Sequence, residues 1–318
     1  MKKTTPIILL ILCLYACQAS KNDNNFAIEN PSEVDKIFIS KRNGAYARLE
    51  KKGNRWFLQD SSEVSSTAIQ LLVKETIGKI KVKGPAPKTA MENVLKRMSI
   101  AGKKVELYSQ NKKIKSYYVG GTTPDMLGTY MLMEGAKTPY VTHIPGFNGY
   151  LNIRFSVDPS QWQSKQLFDF QSDEIEKISM VYPSEPHASF TLSQQENQTI
   201  WTHQGKKQIS RQAFASYFQS FQRKFAEGFD VLPKTELDSI FGQKPYVIME
   251  VWAKKNKKVK LEIFHRESYD KMHGLYTKNG ERLAHDPNRF NARLNKGNKI
   301  CVIQQFAFKD ILKKAQDF

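Results

Sequence analysis

The chain of 318 residues has little cysteine and little negative charge, and each shortage excludes a class of protein. Three cysteines are too few for a scaffold stapled by disulfides. The 31 Asp and Glu residues are outnumbered by 49 Lys and Arg residues, which gives a formal net charge of +18. A content of 40% hydrophobic and 11% aromatic residues excludes a disordered chain, and the length predicts about two domains.

The hydrophobic segment at the N terminus, Pro6 to Ala16, is too short to cross a bilayer, which takes about 20 apolar residues. It follows two lysines and precedes a polar stretch, as in a secretory signal peptide. The segment ends in Leu14-Tyr15-Ala16-Cys17, which resembles the bacterial lipobox, where the cysteine is linked to diacylglycerol before cleavage. The resemblance implies a signal peptide over residues 1–16, a lipid on Cys17, and a flexible, lipidated tether over residues 17–32.

The residues after Cys17 also indicate which of the two bacterial membranes holds the lipid anchor. Gln18 stands where an aspartate would resemble the inner-membrane retention signal, and Asp23 is the one acidic residue of the stretch 18–25. We therefore expect an outer-membrane lipoprotein that faces the periplasm. Cys301 then has no disulfide partner and lies in an apolar run, which favours a buried, inert thiol over a nucleophile.

A recurring separation of 145 residues indicates an internal repeat. Trp56 and Trp201 show it, and so do two pairs of segments: 65–68 with 210–213, and 111–115 with 256–260. At slightly different separations, residues 128–130 match 274–276 and His143 matches His285. These matches predict two homologous halves, residues 33–170 and residues 171–318.

Each half shows the same predicted order of elements. Strands open both halves, and a helix follows, with N-caps expected at Ser65 or Ser66 and at Ser210. The apolar stripes of the two helices have helical spacing: Ile69, Leu72, Val73, Ile77 and Ile80, and Phe214, Tyr217, Phe218, Phe221 and Phe225. Hairpins are predicted to turn at Gln110-Asn111 and near Lys255-Asn256. The predicted fold class is α+β: two tandem homologous repeats, each a mostly antiparallel sheet with one main helix and short helices.

The segment 142–151, Thr-His-Ile-Pro-Gly-Phe-Asn-Gly-Tyr-Leu, is followed by Arg154-Phe155, Trp162 and Leu167-Phe168. In these residues the chain resembles the domain-of-unknown-function family 4340. The resemblance implies a secreted lipoprotein or a relative of the auxiliary proteins of gliding-type ABC transporters. It implies no catalytic residues.

The sequence carries no specific motif for catalysis or metal binding, and Ser-x-x-Lys, at Ser109 and Ser268, is expected by chance in a lysine-rich chain. The histidines form no His-Glu-x-x-His arrangement, and there is no Cys-x-x-Cys or Gly-x-Ser-x-Gly. The segment from His265 to His273 could offer two imidazoles and a carboxylate to a metal, but its composition is more typical of a polar loop between strands. Glu174 and Glu176 share a strand face, where solvated carboxylates are the ordinary case. We therefore predict no catalytic residue, no metal and no cofactor.

Three functions remain open. We favour a lipid-anchored, non-catalytic binding or scaffolding subunit of an ABC-type transport or other envelope complex. Its candidate binding surface lies near Tyr130, His143, Phe147 and Tyr150, and full burial of these rings would count against that surface. A periplasmic hydrolase with dispersed acid/base residues would instead show a deep pocket with converging carboxylates or histidines.

The third function is electrostatic binding of anionic glycans or lipids. Without the two lysines of the signal peptide the net charge is +16, a field that attracts the anions of a cell envelope. Nucleic acid is not an expected partner, because no aromatic residues are interleaved with the lysine runs.

Overall fold

The computed structural model describes residues 23–195, 198–203, 206–210, 214–267, 276–277 and 279–318. The predicted signal peptide and Cys17 lie outside the described residues. The chain divides into two compact units, residues 1–164 and residues 165–318, whereas the sequence repeat was predicted to change over after residue 170. Among the described residues, no helix is both long and apolar enough to span a membrane.

The first unit is an eight-stranded antiparallel sheet in the order β3-β2-β1-β5-β6-β7-β8-β4. Its strands are β1 (Lys36–Lys41), β2 (Tyr46–Lys52), β3 (Arg55–Leu58), β4 (Lys81–Pro85), β5 (Lys103–Ser109), β6 (Lys112–Thr122), β7 (Thr129–Met133) and β8 (Tyr140–His143). Its helices are α1 (Ser66–Leu72), which continues into a π-helical turn (Val73–Ile77), and α2 (Met91–Ala101). Short 3-10 helices span Pro31–Glu33, Asn152–Arg154 and Pro159–Gln161.

The core of the first unit lies between one face of the sheet and α1. Alternation along β1 buries Ile37 and Ile39 on that face, and the predicted stripe of α1 and its continuation, from Ile69 to Ile80, is buried against them. The Ser65 hydroxyl accepts a hydrogen bond from the Ala68 amide at 3.4 Å, which confirms the predicted N-cap of α1.

The segment before β1 belongs to this core, which corrects the prediction of a flexible tether through residue 32. Phe26 is 1% exposed and makes edge contacts with Tyr117 and Tyr140, with ring centroids 5.9 and 6.4 Å apart. The Ile28 amide donates to the Ile77 carbonyl at 2.9 Å, and the Lys115 ammonium donates to the carbonyls of residues 25 and 27. The segment packs because Phe26 and Ile28 are apolar and join the same buried cluster as α1 and the sheet.

The second unit is a nine-stranded antiparallel sheet in the order β13-β12-β11-β10-β16-β17-β18-β19-β15, and β14 pairs separately with β9. The strands are β9 (Gln166–Phe168), β10 (Ile175–Val181), β11 (Phe190–Gln195), β12 (Gln198–Thr202), β13 (Lys206–Ser210), β14 (Lys224–Phe225), β15 (Gly228–Asp230), β16 (Val247–Ala253), β17 (Lys257–Glu267), β18 (His285–Leu294) and β19 (Ile300–Gln304). The helices are α3 (Ala215–Gln219), α4 (Lys234–Phe241) and α5 (Gln305–Phe308), with 3-10 helices at Pro186–Ala188 and Ala315–Asp317.

The two units share one strand order, which confirms the predicted α+β repeat. The strands β1, β2 and β3 correspond to β10, β11 and β12, the strands β5 to β8 correspond to β16 to β19, and β4 corresponds to β15. The strand β13 is an additional edge strand of the second sheet. The predicted hairpins are also confirmed. Gln110 and Asn111 have φ of 50° and 63°, and Lys255 and Asn256 have φ of 61° and 56°, as a two-residue turn with left-handed backbone requires.

The structure overturns the match of His143 with His285, whereas residues 274 and 275 of the other late match lie outside the described residues. His143 ends β8, whereas His285 begins β18, which is the equivalent of β7. The His-x-Pro match therefore pairs the end of one strand with the start of another strand at a different place in the sheet.

The helix predicted from Phe214 to Phe225 is only the five residues of α3, and Ser210 belongs to β13 rather than capping it. Phe214, Tyr217, Phe218 and Phe221 are buried as expected, but Phe225 lies in β14 and is 46% exposed. At the repeat spacing of 145 residues, β13 corresponds to residues 61–65, which precede α1 in the first unit and form no named strand there.

Candidate functional site

The four residues of the predicted binding surface do not form an exposed aromatic groove. Tyr130, in β7, is 9% exposed and packs with Val94 and Met98 beneath α2. Phe147 is half-buried, because it packs on the core and lies 4.2 Å from the guanidinium of Arg154. His143 and Tyr150 are half-buried. Burial, and then the charge of Lys83, lowers the pKa of His143.

The segment that carries the family resemblance closes the first core. Arg154 donates to the Thr76 hydroxyl at 3.0 Å and to the Glu75 carbonyl at 3.3 Å, and the Thr76 hydroxyl donates to the Leu71 carbonyl at 2.7 Å. Phe155 and Trp162 are buried in the same core. These residues therefore fix the π-helical turn and the loop that follows β8, and they serve the fold.

A cleft of about 490 Å³ opens in the first unit between α2 and the strand pair β6–β7; we call it the first cleft. Asn93 and Arg97 of α2 line one side, and Tyr130 and Asn152 line the other. The side-chain oxygen of Asn152 is buried and has no hydrogen-bond partner among the described residues. No carboxylate lines the first cleft, so Arg97 gives it a positive charge.

A cleft of about 440 Å³ opens in the second unit between α4 and the strands β15, β17 and β18; we call it the second cleft. Arg266 donates from one guanidinium nitrogen to Asp230 at 2.7 Å and to Asn291 at 2.8 Å, and Asn291 is 6% exposed. The guanidinium is therefore held in one orientation by a buried amide and a carboxylate. Glu236 and Glu267 add two more carboxylates to the lining.

His265 also lines the second cleft and stacks on His285, with ring centroids 4.6 Å apart. Burial, and then the charge of His285, lowers the pKa of His265. The imidazole is therefore neutral at pH 7, and the four charged residues Asp230, Glu236, Arg266 and Glu267 give the second cleft a net negative charge.

The two clefts occupy equivalent places in the repeat. The helices α2 and α4 both follow the edge strand, β4 or β15, and both lie beside the strand pair β6–β7 or β17–β18. Tyr130 and Asn291 hold the same position, since Tyr130 pairs with Val141 of β8 and Asn291 pairs with Val302 of β19. The two clefts therefore lie at equivalent places in the two units but differ in charge: the first cleft is positive and the second is negative.

The second cleft was not predicted from the sequence. Asp230, Arg266 and Asn291 come from three strands that are 25 to 36 residues apart in the chain, so no local motif joins them. The signal that could have found them is the equivalence of Tyr130 and Asn291 in the repeat, which becomes visible only once the strand register is known.

Metal and thiol chemistry receive no support from the described residues. Among them, no three His, Cys, Asp or Glu residues are arranged to hold a metal ion, and residues 268–273 of the His265–His273 segment lie outside the described ranges. Cys301 is 2% exposed, and burial raises the pKa of its thiol to about 11. The thiol is protonated at neutral pH, as expected of an inert cysteine.

Fold and site together define a tandem α+β protein with a cleft at the equivalent place in each repeat. No curated protein and no solved structure matches the chain. The family profile of the domain of unknown function DUF4340 matches residues 73–240, just over half of the chain. The chain belongs to this family. The matched range contains the lining of the first cleft and ends within α4 beside the second.

Proposed function

We propose that this protein is a lipid-anchored, non-catalytic binding or scaffolding subunit of the cell envelope, which serves an ABC-type transport complex or another envelope assembly. The observation that supports this proposal best is that the first and second clefts occupy equivalent places in the two repeats and carry opposite charge. Two clefts on one chain engage a partner at two places, and the second contact is then intramolecular, which raises affinity without a new interface. The oriented guanidinium of Arg266 in the second cleft is suited to recognition.

The lipid on Cys17 is the proposed anchor, in the outer membrane and facing the periplasm. Phe26 is the first residue seen in the core, nine residues after Cys17, so a fully extended tether reaches about 30 Å. A tether of this length keeps the first unit close to the bilayer. The net charge of +16 on the lipidated chain also favours contact with anionic lipids or glycans of that membrane.

Lipidation is tested by feeding cells an alkyne-labelled fatty acid and separating membrane from soluble protein. We expect label and membrane association in the wild type and in Cys301→Ala, and loss of both in Cys17→Ala. The Cys301→Ala variant is the matched control, because it removes a cysteine that is buried in the core of the second unit. Label that persists in Cys17→Ala would contradict the anchor.

The binding role is tested by crosslinking in intact cells, detergent extraction and mass spectrometry. We expect an ABC permease or another envelope complex to be recovered with the wild type and lost with Cys17→Ala. Recovery of the same proteins from Cys17→Ala would show that the anchor does not direct the association.

A periplasmic hydrolase is the second candidate, and the second cleft is the observation that favours it. Asp230, Glu236 and Glu267 converge there beside a neutral His265, which is the arrangement that acid/base chemistry uses. Cleavage of an envelope glycan or peptide by the purified chain, abolished in Glu267→Gln, would replace the binding role with this one. Association with anionic polymers alone would instead weaken steeply between low and physiological salt.

A further inference from the structure

A third cleft lies in the first unit on the other side of α2; we call it the basic cleft. Its volume is about 590 Å³. Leu95 and Met98 of α2, Tyr118 of β6 and Leu132 of β7 form an apolar wall and floor. Tyr118 and Leu132 are only partly buried by the small core beneath α2, so apolar surface stays open to a ligand.

The rim of the basic cleft is cationic. Lys41, Arg42 and Lys104 line it, and no carboxylate does. Lys104 is neutralised by Glu106 at 3.1 Å and Glu134 at 2.7 Å. Lys41 and Arg42 form no ion pair with any described residue, so their charges are uncompensated.

A fourth cation adds to the positive potential at this end of the sheet. Lys103 pairs across the strands with Lys41, and it donates to the Asn152 carbonyl at 2.6 Å. Burial, and then the charge of Lys41, lowers the pKa of Lys103 to about 8.

We propose that the basic cleft binds a single-chain anionic lipid, with the acyl chain on the apolar floor and the anionic headgroup between Lys41 and Arg42. The inference rests on the proposed envelope function and gives it a ligand class. Each buried methylene and each charge-assisted hydrogen bond contributes to affinity, so a ligand needs both parts to bind well. The second unit lacks the site, because Val181 and Ile248 pair where Ser40 and Lys104 pair in the first.

The test uses the full-length chain with Cys17→Ser, which removes the protein's own lipid, and calorimetric titration with decyl phosphate below its micellar concentration. We expect saturable binding with one equivalent of decyl phosphate. Inorganic phosphate and decyl maltoside, which each carry one half of the ligand chemistry, are expected to bind at least tenfold more weakly.

Two variants locate the ligand. Arg42→Glu reverses a rim charge and is expected to weaken binding about tenfold, whereas Lys51→Glu makes the same charge change at an exposed position of β2 and leaves binding unchanged. Ser99→Trp fills the cleft from an exposed position on α2 and is expected to abolish binding without touching the core. Circular dichroism confirms that each variant is folded.

Absence of decyl phosphate binding, or equal binding of decyl maltoside, overturns the proposal, and so does binding that survives both Arg42→Glu and Ser99→Trp. These failures are distinct from failure of the proposed function. If the chain does not bind decyl phosphate but is still crosslinked to its envelope complex in cells, the lipid site alone is refuted. A chain that binds decyl phosphate but carries no lipid on Cys17 in cells refutes the anchor alone.

Discussion

Truncation of Phe26 tests whether the folded unit begins at this residue. Phe26→Ala removes a ring that is 1% exposed and that contacts Tyr117 and Tyr140 in the first core. Buried Phe to Ala changes cost about 3–5 kcal/mol, and a segment near the chain end can relax, so we expect about 3 kcal/mol. This corresponds to roughly hundredfold lower protection of the slowest amides against hydrogen exchange, since about 1.4 kcal/mol is a factor of ten.

Hydrogen exchange followed by mass spectrometry resolves the result by unit. We expect the loss of protection in peptides from β1, β5 and β6, and unchanged protection in β10 and β16 of the second unit. Ile100→Ala is the control, because Ile100 is 67% exposed on α2 and its truncation should cost less than about 0.5 kcal/mol. A loss below about 1 kcal/mol for Phe26→Ala would refute the packing of this segment and lengthen the proposed tether.

Three further changes probe the first unit. Ser65→Ala removes the N-cap of α1 and should cost about 1 kcal/mol in denaturant unfolding. Tyr117→Phe should leave stability unchanged or raise it by up to about 1 kcal/mol, because the buried hydroxyl has no partner among the described residues; a loss above 1 kcal/mol would show a hidden hydrogen bond. Lys103 has its pKa lowered from 10.5 to about 8, so the folded state binds fewer protons than the unfolded state between these values. Stability should therefore rise with pH across this window by about 1 kcal/mol, because water around the partly exposed ammonium screens the effect of the shift, and Lys103→Met should remove this rise in unfolding measured from pH 7 to 11.

The fold was predictable where local chemistry and sheet position agree. The hairpin turns at Asn111 and Asn256 demand left-handed backbone, and Trp56 and Trp201 lie on the equivalent strands β3 and β12, so spacing alone paired them. His143 and His285 failed as a pair because a three-residue match does not fix the place of a strand in the sheet: His143 ends β8, whereas His285 begins β18. Phe26 was missed because a short apolar segment beside a polar stretch has no periodicity.

The candidate site was less predictable, because it depends on which face of a strand each residue occupies. Tyr130 was expected on the surface, but α2 covers that face of β7 and buries the ring. Asn291 was not singled out, although it holds the equivalent position in β18 and orients Arg266. The strand register that brings these residues together is set by long-range pairing and leaves no trace in local spacing.

Photo-crosslinking from inside the clefts is the measurement that tests the proposed binding function most directly. A photoreactive amino acid replaces Asn93 in the first cleft or Glu236 in the second, and replaces the exposed Lys51 as the control. We predict that both cleft positions capture the same envelope partner in intact cells, that Lys51 does not, and that Cys17→Ala abolishes the capture. Capture from Lys51 with equal yield, or no capture from either cleft, would contradict a binding role for the duplicated clefts.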